Sequence, residues 1–402
     1  MEAIPLVDFD PYDWQIHEDP YPTYSRLREE APVYYSEKRD FWALSRHGDV
    51  LAGFRDPVRL SNAHGVSLER DVLEARTVMS FLGMDPPDHG RLRSLVSSAF
   101  TPRRVRALEP HIRKLADTYI DAFIEAGHCE FIDDFAGALP MDVISEMLGV
   151  PRPDRGELRK LADLVVHREP DNPEVPEAGM QAAAKMLRYF ADHVIAARKE
   201  PKDDLTGALI LAEVEGDQLV DPEIISFLFL MIIAGNETTT KLLGNALYWL
   251  GRNPDERAKV DANPGLIPAW AEETLRYDAS SQLLARTATC DIPLEGRLIP
   301  EGARVALLIG SGNRDEQVFE NAARFQVERN TTQSLAFGQG THFCLGASLA
   351  RLETRIALEQ VQARLGGWSV REDQLERVHS SNVRGFARFP IDFPPSAPTK
   401  GR

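Results

Sequence analysis

Cysteine is scarce in this chain, in which Cys129, Cys290 and Cys344 are the only three among 402 residues. An odd number of cysteines without a CxxC spacing argues against both a disulfide framework and a zinc ribbon. At least one thiol is therefore expected to be free, and its surroundings decide whether it has a chemical role.

Long apolar runs and an excess of positive charge are also missing. The longest apolar run, residues 224–235, is too short to span a bilayer and predicts a buried core helix instead. The first fifteen residues have no basic flank and no apolar run, so we expect no signal peptide or membrane anchor and a cytoplasmic location. The net charge of −16 argues against binding of nucleic acid or an anionic membrane through the whole surface.

The remaining composition is that of an ordinary globular chain, with 43% hydrophobic and 27% charged residues. Helical periodicity dominates, and strands are predicted in few places, such as a hairpin that turns at residues 38–40 and a strand that starts at Ala303. No internal repeat and no domain linker is evident in the sequence. The pattern predicts a mainly α fold with small β-sheets, as a single domain of residues 1–402.

Two long helices are well marked in the sequence. The first contains the longest apolar run: Asp221 is expected to cap it, Pro222 lies in its first turn, and apolar residues continue to Leu250. The second is expected to begin at about Leu345 and to end at the glycine pair 366–367. The first helix is expected to lie in the middle of the core, because it is apolar on nearly all sides.

The segment FGQGTHFCLG places Cys344 among three glycines, directly before the second helix. A cysteine at a helix N-terminus is expected to favour the thiolate, which is a nucleophile and a metal ligand. Gly338 and Gly340 permit a tight turn, and Gly346 leaves space beside the sulfur for a flat, bulky group. The alternative, a small buried hydrophobic cysteine, is disfavoured by the ordered glycines and by Phe337.

The segment AGNETTT, residues 234–240, interrupts the core helix with polar side chains, which is costly without a purpose. The Thr238 hydroxyl can donate to the Ala234 carbonyl one turn back and loosen the helix locally, so a small pocket is expected there. Glu237 supplies a titratable group suited to carrying protons into a dry site. The alternative is a polar helical turn that faces a solvent cleft.

The segment EETLR places Glu273 and Arg276 on one helical face, where they can form an ion pair, although most such pairs are solvated surface pairs. Another segment, DPPDHGRLR, places cationic or donor groups four residues apart. The candidates to bind acidic substituents of a cofactor are His89, Arg93, Arg286 and His342. Each of these residue types is individually more common at the surface.

Together, these four motifs resemble those of the cytochrome P450 haem-thiolate monooxygenases in their soluble bacterial form. FGQGTHFCLG is similar to the cysteine-loop pattern FGxGxHxCxG, AGNETT to the oxygen-activating helix, EETLR to the ExxR pair and DPPDHGRLR to the haem-edge segment. The motifs have the same order and similar spacing, so the resemblance covers nearly the whole chain. It implies the cytochrome P450 fold, with the core helix over haem b (iron protoporphyrin IX).

The resemblance implies a role for each motif residue. Cys344 would be the axial ligand of the haem iron, and Glu237 and Thr238 would be the acid and the alcohol that deliver protons during dioxygen activation. Contacts with the haem propionates are implied for His89, Arg93, Arg286 and His342. Other contacts with the haem are implied for Ala234, Gly235, Phe337, Gly338 and Gly346. A buried structural triad is implied for Glu273, Arg276 and the arginine that ends RFQVER, Arg329.

One segment departs from the family pattern. After the ExxR pair the family commonly has a proline, whereas this chain reads RYDASSQLLAR, with Ser280 and Ser281 in that place. The segment normally contributes to the substrate pocket, so the course of the backbone and the floor of the pocket cannot be carried over from the family.

The function that the resemblance implies is insertion of one oxygen atom into an apolar organic substrate, by hydroxylation, epoxidation or dealkylation. The pocket residues are expected to be Leu230, Ile233, Leu283 and Leu284, which are apolar and near the expected iron site. Two alternatives are a peroxide-driven peroxygenase on the same fold and a haem-based sensor without turnover. Neither needs the acid and the alcohol, so the presence of both residues argues against these alternatives.

The resemblance implies that electrons reach the iron from NAD(P)H through a reductase and an iron–sulfur ferredoxin. These are expected to be separate proteins, because no fused reductase is expected in this chain. Residues 91–114 hold seven basic residues and one acid, in a chain of net charge −16. This excess predicts a docking patch for an acidic ferredoxin near Arg103, Arg104, Arg106 and Arg113. The alternative is a solvated basic face. The protein is expected to act as a monomer.

Overall fold

Helices dominate the computed structural model, which describes residues 7–69, 75–97, 100–169, 171–172, 174–214 and 216–399. The α-helices in these ranges are α1 (Trp14–Glu18), α2 (Tyr21–Glu30), α3 (His47–Arg55), α4 (Ala75–Met79), α5 (Asp88–Ser97), α6 (Pro102–Ala107), α7 (Glu109–Phe123), α8 (Ala138–Met147), α9 (Arg152–Val166), α10 (Glu177–Lys199), α11 (Leu205–Ile210), α12 (Asp221–Gly251), α13 (Pro254–Ala262), α14 (Ile267–Tyr277), α15 (Ile309–Gly312) and α16 (Ala347–Arg364). Short 3-10 helices span Ser80–Gly83, Ile124–Ala126, Pro264–Leu266, Gly340–His342 and Glu372–Gln374, and a π-helix spans Ile132–Ala136. The predicted mainly α fold is confirmed.

The strands are short and form small sheets. They are β1 (Val33–Ser36), β2 (Phe41–Leu44), β3 (Leu60–Ser61), β4 (His128–Glu130), β5 (Glu213–Val214), β6 (Asp217–Gln218), β7 (Leu284–Ala288), β8 (Ile292–Leu294), β9 (Arg297–Ile299), β10 (Arg304–Leu307), β11 (Ser369–Val370), β12 (Glu376–Arg377), β13 (Phe386–Arg388) and β14 (Pro390–Asp392). The largest sheet has the order β1-β2-β10-β7-β3, in which β10 is parallel to β2 and the other neighbours are antiparallel. A second sheet has the order β11-β14-β4. Among the described residues, three two-stranded sheets pair β5 with β6, β8 with β9 and β12 with β13. The predicted hairpin is confirmed as β1 and β2, and the predicted strand as β10.

Helix α12 is the central element, with 31 residues that are buried on nearly all sides. The Glu223 side chain accepts a hydrogen bond from the backbone N–H of Val220 at 3.0 Å, which satisfies one of the free donors at the helix start. Pro222 lies in the first turn, where its missing N–H costs nothing. The expected cap at Asp221 is wrong, because Asp221 is the first helical residue and its carboxylate accepts from Arg198 at 2.5 Å.

The hydrophobic core surrounds α12, which packs against α8, α9, α10, α14 and α16, so the described residues form one domain. The five-stranded sheet carries a separate apolar cluster on each face. Because alternate strand residues point to opposite faces, Trp42 and Leu44 lie in one cluster and Phe41 and Ala43 in the other. Within the described ranges, no helix combines the length and the apolar character needed to cross a bilayer.

Helix α16 follows the glycine-rich segment, as expected, but it begins two residues later than expected. Gly346 is its N-cap residue and Ala347 its first helical residue. It ends at Arg364, and Gly367 has a φ of 79°, in the left-handed region that glycine adopts at little cost. The loop that precedes α16 therefore contains Cys344 outside the helix, within one turn of its N-terminus.

Candidate active site

A cavity lies between the middle of α12 and the loop that precedes α16. Its free space is about 1350 Å³, part of which is open to solvent. From the loop, the predicted site residues that line it are Phe337, Gly338, His342, Cys344 and Gly346. From α12, they are Leu230, Ala234, Gly235 and Thr238. From α5 and β7, they are Arg93, Leu284 and Arg286.

The loop before α16 turns tightly and presents Cys344 to the cavity. Gly338 and Gly340 have φ values of 65° and 71°, which residues with a side chain rarely adopt. A Cβ atom on Gly340 would also lie 2.7 Å from the carbonyl oxygen of Phe54, so glycine is needed for the loop to pack against α3. The N–H of Cys344 donates to the carbonyl oxygen of Phe337 at 2.9 Å and closes the turn.

The Cys344 thiol is open to the cavity but lies deep within the protein. Burial raises the pKa of Cys344, and the N–H groups of Gly346 and Ala347, together with two nearby arginines, offset only part of that rise. In the chain alone, burial therefore opposes the thiolate that the position of Cys344 before a helix was expected to favour. A metal cation bound to the sulfur would reverse this balance, since coordinated thiols are deprotonated.

Three donor side chains, Arg93, Arg286 and His342, line one part of the cavity, and His89 packs beside them against His342. The rings of His89 and His342 have centroids 4.1 Å apart. Within the described residues, both ring nitrogens of His342, Nε2 of His89 and Nη1 of Arg93 are buried without a hydrogen-bond partner. The Arg286 side chain is 2% exposed, and its Nη1 donates to the backbone carbonyl of Ala285 at 2.8 Å.

This cluster has a positive charge that needs an anion. Burial lowers the pKa of Arg286 to about 10, and the charge of Arg304 adds to the effect. Burial also lowers the pKa of His342 to about 3, with a further contribution from the neighbouring His89 and arginines. A carboxylate on a ligand would accept hydrogen bonds from these donors and neutralise the charge. The cluster therefore fits the propionates of haem, the group that the family resemblance implies.

Thr238 contributes a hydroxyl to the α12 wall of the cavity. Its Oγ1 donates to the carbonyl oxygen of Ala234 at 2.8 Å, as expected from their spacing. The helix nevertheless continues without interruption through this turn. The carbonyl oxygen of Thr238 accepts a hydrogen bond from the hydroxyl of Ser280 at 2.7 Å, which the sequence did not predict.

Glu237 is adjacent to Thr238 but is not among the described residues that line the cavity. It lies on another face of α12 together with Lys241, whose Nζ is 3.4 Å from Oε2 of Glu237, and both side chains are almost fully buried. The carboxyl of Glu237 also contacts that of Asp163 on α9, a residue whose surface is partly open to solvent. Glu237 is thus next to Thr238 in the chain and in contact with the carboxyl of a residue that is partly open to solvent.

The pKa values of the two carboxyl groups, Glu237 and Asp163, shift in opposite directions. Burial acts to raise the pKa of Glu237, but the charge of Lys241 and the hydrogen bond with Asp163 outweigh burial and lower it. Burial and the Glu237 carboxylate both raise the pKa of Asp163. In this pair a proton is therefore favoured on Asp163 rather than on Glu237.

Glu273, Arg276 and Arg329 form a buried network. Nη2 of Arg276 lies 2.7 Å from Oε1 of Glu273, and Nε of Arg329 lies 3.2 Å from the same oxygen. The side chains of Glu273 and Arg276 are 0% exposed. Arg276 also donates to the carbonyl oxygens of Asn313 and Ala322 at 2.9 and 3.0 Å. A solvated surface pair, the alternative for EETLR, is therefore excluded.

Two of the four predicted pocket residues, Leu230 and Leu284, line the cavity. Leu283 does not, because neighbouring residues of an extended strand point to opposite faces and Leu283 packs in the apolar cluster with Ala285. Ile233 does not either, because it shares its helical face with Glu237, four residues later, and packs against the main core. The predicted pocket therefore loses Leu283 and Ile233.

Several lining residues were not predicted from the sequence. Phe81 and Leu82 come from the 3-10 helix Ser80–Gly83, which has no periodic pattern. Met231 and Thr239 could have been found from the spacing of four residues along α12. Glu353 on α16 is 2% exposed, and burial raises its pKa well above the ordinary value. Its signal in the sequence was a lone carboxyl within an apolar helical stripe.

The predicted basic patch is smaller than its sequence suggested. Arg91 pairs with Asp217 at 2.5 Å, and Arg113 pairs with Glu359 at 2.7 Å, so neither has a free charge. The side chains that remain exposed on α6, with no ion pair in the described part of the chain, are Arg103, Arg104 and Arg106. Helix α6 packs against α16, which begins just after Cys344.

Comparison with known proteins gives consistent matches. The family described as Cytochrome P450 has a sequence model that matches residues 140–263 and 266–374. A relative in Mycobacterium tuberculosis, named putative cytochrome P450 123, is 53% identical over 390 residues, which cover 96% of this chain and 97% of the relative. The similarity therefore extends over nearly the full length of both proteins.

Solved structures also match this chain over nearly its full length. The cytochrome P450 CYP109Q5 from Chondromyces apiculatus matches with a TM-score of 0.88 and 34% identity, covering 97% of this chain and 99% of that one. CYP109E1 from Bacillus megaterium, solved in complex with testosterone, matches with a TM-score of 0.89 and 30% identity, covering 94% and 99%. Sequence and fold therefore point to the same group of bacterial proteins.

Proposed function

The chain belongs to the cytochrome P450 family of haem monooxygenases, and we propose that it hydroxylates an apolar ring compound of steroid size with electrons from an iron–sulfur ferredoxin. The observation that carries this proposal is the cavity itself. It is lined by a cysteine, by a threonine hydroxyl on the central helix and by an anion-binding cluster, and much of its other wall is apolar. We propose that the whole chain acts as one catalytic domain, as a monomer in the cytoplasm.

The residues present fit haem. Cys344 would bind the iron through Sγ, and the propionates would be held by His89, Arg93, Arg286 and His342. The other proposed haem contacts are Ala234, Gly235, Phe337, Gly338 and Gly346. When bound, the group supplies activation of dioxygen and transfer of one oxygen atom to the substrate, with electron donation from the thiolate favouring O–O cleavage.

We propose that Glu237 and Thr238 deliver protons. Asp163 takes a proton from solvent and passes it to the Glu237 carboxyl, with which it is in contact. Lys241 keeps Glu237 ionised between transfers, so that it can accept the next proton. Because Glu237 lies on another helical face, the proton reaches the cavity through water or by rotation of its side chain. The Thr238 hydroxyl then donates it at the cavity wall.

The substrate is proposed to be apolar and ring-shaped. The apolar side chains that line the cavity near α12 include Phe81, Leu82, Leu230, Met231 and Leu284, which carry no strong hydrogen-bonding group. Such a wall binds by burial of apolar surface. The testosterone complex of CYP109E1 supports a substrate of this size and shape.

Electrons are proposed to come from NAD(P)H through a reductase and an acidic ferredoxin. The exposed arginines of α6 and the contact of α6 with α16 support docking on this face. The chain as a whole has a net charge of −16, so this is a local region of opposite charge that can orient an acidic partner.

A titration and a labelling experiment together test the proposal. Testosterone added to the ferric protein should shift the Soret absorption with a saturable curve, whereas a sulfated steroid should bind more weakly because a buried charge finds no partner on the apolar wall. Turnover with ferredoxin, reductase and NADPH under ¹⁸O₂ should give a hydroxylated product with one labelled oxygen. Unlabelled product, or turnover only with added peroxide, would contradict the monooxygenase assignment.

The role of Thr238 has its own test. Thr238→Ala should keep haem binding and NADPH consumption but divert electrons to hydrogen peroxide, because the proton donor at the cavity wall is lost. Thr240→Ala is the matched control: Thr240 Oγ1 makes the same type of bond, to the carbonyl oxygen of Asn236 at 2.9 Å, and is not among the described cavity-lining residues. If Thr238→Ala converts NADPH into product as efficiently as the native protein, the role is wrong.

A further inference from the structure

Ser280 stands in the segment where the family commonly has a proline, and its hydroxyl contacts the central helix. Oγ of Ser280 donates to the carbonyl oxygen of Thr238 at 2.7 Å. Ser280 is 4% exposed, so little water competes for this bond. A proline has neither a hydroxyl nor an N–H group and could donate no hydrogen bond to α12 from this place. The departure from the family pattern therefore adds a contact to α12.

The segment that carries Ser280 is itself held firmly. The carbonyl oxygen of Ser280 accepts from the N–H of Arg384 at 2.7 Å, and Ser281 pairs with Val383 in a β-bridge. Asp278, two residues earlier, is fully buried and accepts hydrogen bonds from three side chains at 2.6, 2.8 and 2.9 Å. The serine hydroxyl is therefore presented to α12 from a fixed position.

Thr238 is held at two points as a result. Its own hydroxyl donates to Ala234, and its carbonyl oxygen accepts from Ser280. A carbonyl oxygen has two lone pairs, so it can accept from Ser280 as well as from the N–H four residues later in the helix. Fixing this carbonyl limits the tilt of the peptide plane next to Thr238. The direction in which the threonine hydroxyl faces the cavity is then less variable.

We propose that Ser280 is a positioning residue for Thr238, which keeps the threonine hydroxyl in the place from which it delivers protons. This inference rests on the function proposed above for Thr238 and adds the residue that orients it. Ser280 also lines the cavity, but the role assigned to it acts through Thr238 and includes no proton transfer of its own. Its effect is on the fate of electrons: with Thr238 in place, NADPH yields hydroxylated product and water, and with Thr238 displaced, the same electrons and two protons reduce dioxygen to hydrogen peroxide.

The first experiment measures product and peroxide per NADPH consumed in the holoenzyme. Ser280→Ala should lower the product-to-NADPH ratio by about two- to tenfold, the range that corresponds to the loss of one hydrogen bond. Ser280→Thr retains a hydroxyl and should restore the ratio. Ser226→Ala is the matched control. Ser226 is a buried serine on α12, the helix that carries Thr238, and its hydroxyl donates to the carbonyl of Glu223 at 3.1 Å, away from the cavity. It should leave the ratio unchanged.

A double-variant comparison tests whether Ser280 acts through Thr238. If it does, Ser280→Ala should change the ratio in the native background and have little further effect in the Thr238→Ala background. Equal effects in both backgrounds would overturn the proposal while leaving the function of Thr238 intact. If Thr238→Ala itself remains fully coupled, the proposed function of Thr238 fails instead, so the two failures can be told apart.

Hydrogen exchange gives a readout that does not depend on turnover. Mass spectrometry of the holoenzyme should show faster amide exchange in residues 234–242 for Ser280→Ala, because the turn of α12 around Thr238 loses an anchor. Ser226→Ala should not change exchange in that segment. Unchanged exchange in residues 234–242 of Ser280→Ala would show that the hydrogen bond does not restrain the helix, and the proposal would be wrong.

Discussion

At the scale of single residues, burial shifts the pKa values of titratable groups that line the cavity. Desolvation raises the pKa of both Cys344 and Glu353, and it lowers the pKa of Arg286 and His342. All four shifts favour the neutral form. The anionic groups of a cofactor would compensate the charge of Arg286, and its metal cation would compensate the charge of the Cys344 thiolate. Without this ligand, the charges of the site are not compensated.

Glu353 gives a prediction on stability. The pKa of an unfolded glutamate is about 4.3, and burial raises that of Glu353 well above it. At pH values between these two pKa values, the unfolded chain releases a proton that the folded chain keeps. Glu353 therefore lowers the free energy of unfolding as pH rises. Glu353→Gln should remove this loss, and its stability relative to the native protein should increase by up to about 1.4 kcal/mol per pH unit above pH 5. Urea unfolding at several pH values would measure the difference; a difference that does not change with pH would contradict the assigned protonation.

The site residues that could be predicted from the sequence are those defined by residue type within a motif. Cys344, Thr238 and Arg286 all line the cavity, as their motifs indicated. The direction of the pKa shift of Cys344 could not be predicted, because it depends on how deeply the loop is buried. The hydrogen bond from Ser280 could not be predicted either, because it joins segments that are 42 residues apart in sequence.

At the scale of elements, periodicity predicted where α12 and α16 lie but not which face of each element meets the cavity. Ile233 and Leu230 are three residues apart on α12, yet only Leu230 lines the cavity. Leu283 and Leu284 are adjacent, and only Leu284 does. A helix that is apolar on nearly all sides carries no signal for its orientation, since every face is buried. Packing against neighbouring elements sets the orientation.

The buried network of Glu273, Arg276 and Arg329 gives a prediction at the scale of elements. Glu273→Ala should destabilise the fold by about 3–5 kcal/mol, because it leaves Arg276 buried without its carboxylate partner. The adjacent Glu272 is the matched control: it pairs with Arg351 at 2.5 Å at the partly exposed surface, and Glu272→Ala should cost at most about 1 kcal/mol. Urea unfolding of both variants measures the difference. A loss of about 1 kcal/mol or less for Glu273→Ala, as expected for the surface pair, would show that the buried network does not stabilise the fold.

At the scale of the whole molecule, the acidic surface and the basic residues of α6 predict how an electron donor binds. Reversal of the charges of Arg103, Arg104 and Arg106 to glutamate should slow reduction by an acidic ferredoxin about tenfold or more at low salt and flatten its salt dependence, since the attraction that orients the partner is lost. Stopped-flow reduction at several salt concentrations measures both effects.

A matched triple variant on another helix separates the effect of charge at α6 from the effect of the net charge of the molecule. Reversal of Lys185, Arg188 and Lys199, which are exposed on α10, changes the net charge of the molecule by the same amount. It should slow reduction much less if docking takes place at α6. Equal slowing in the two triple variants would show that only the net charge matters, and the docking face would have to be sought elsewhere.

The most direct test of Cys344 as the ligand of haem iron is the absorption spectrum of the reduced protein with carbon monoxide. If Cys344 binds haem iron as a thiolate, the native protein should show a strongly red-shifted Soret band. Cys290→Ser should keep that band, because Cys290 does not line the cavity described here, whereas Cys344→Ser should lose it. Persistence of the band in Cys344→Ser, or its absence from the native protein, would contradict the assignment of Cys344 as the ligand.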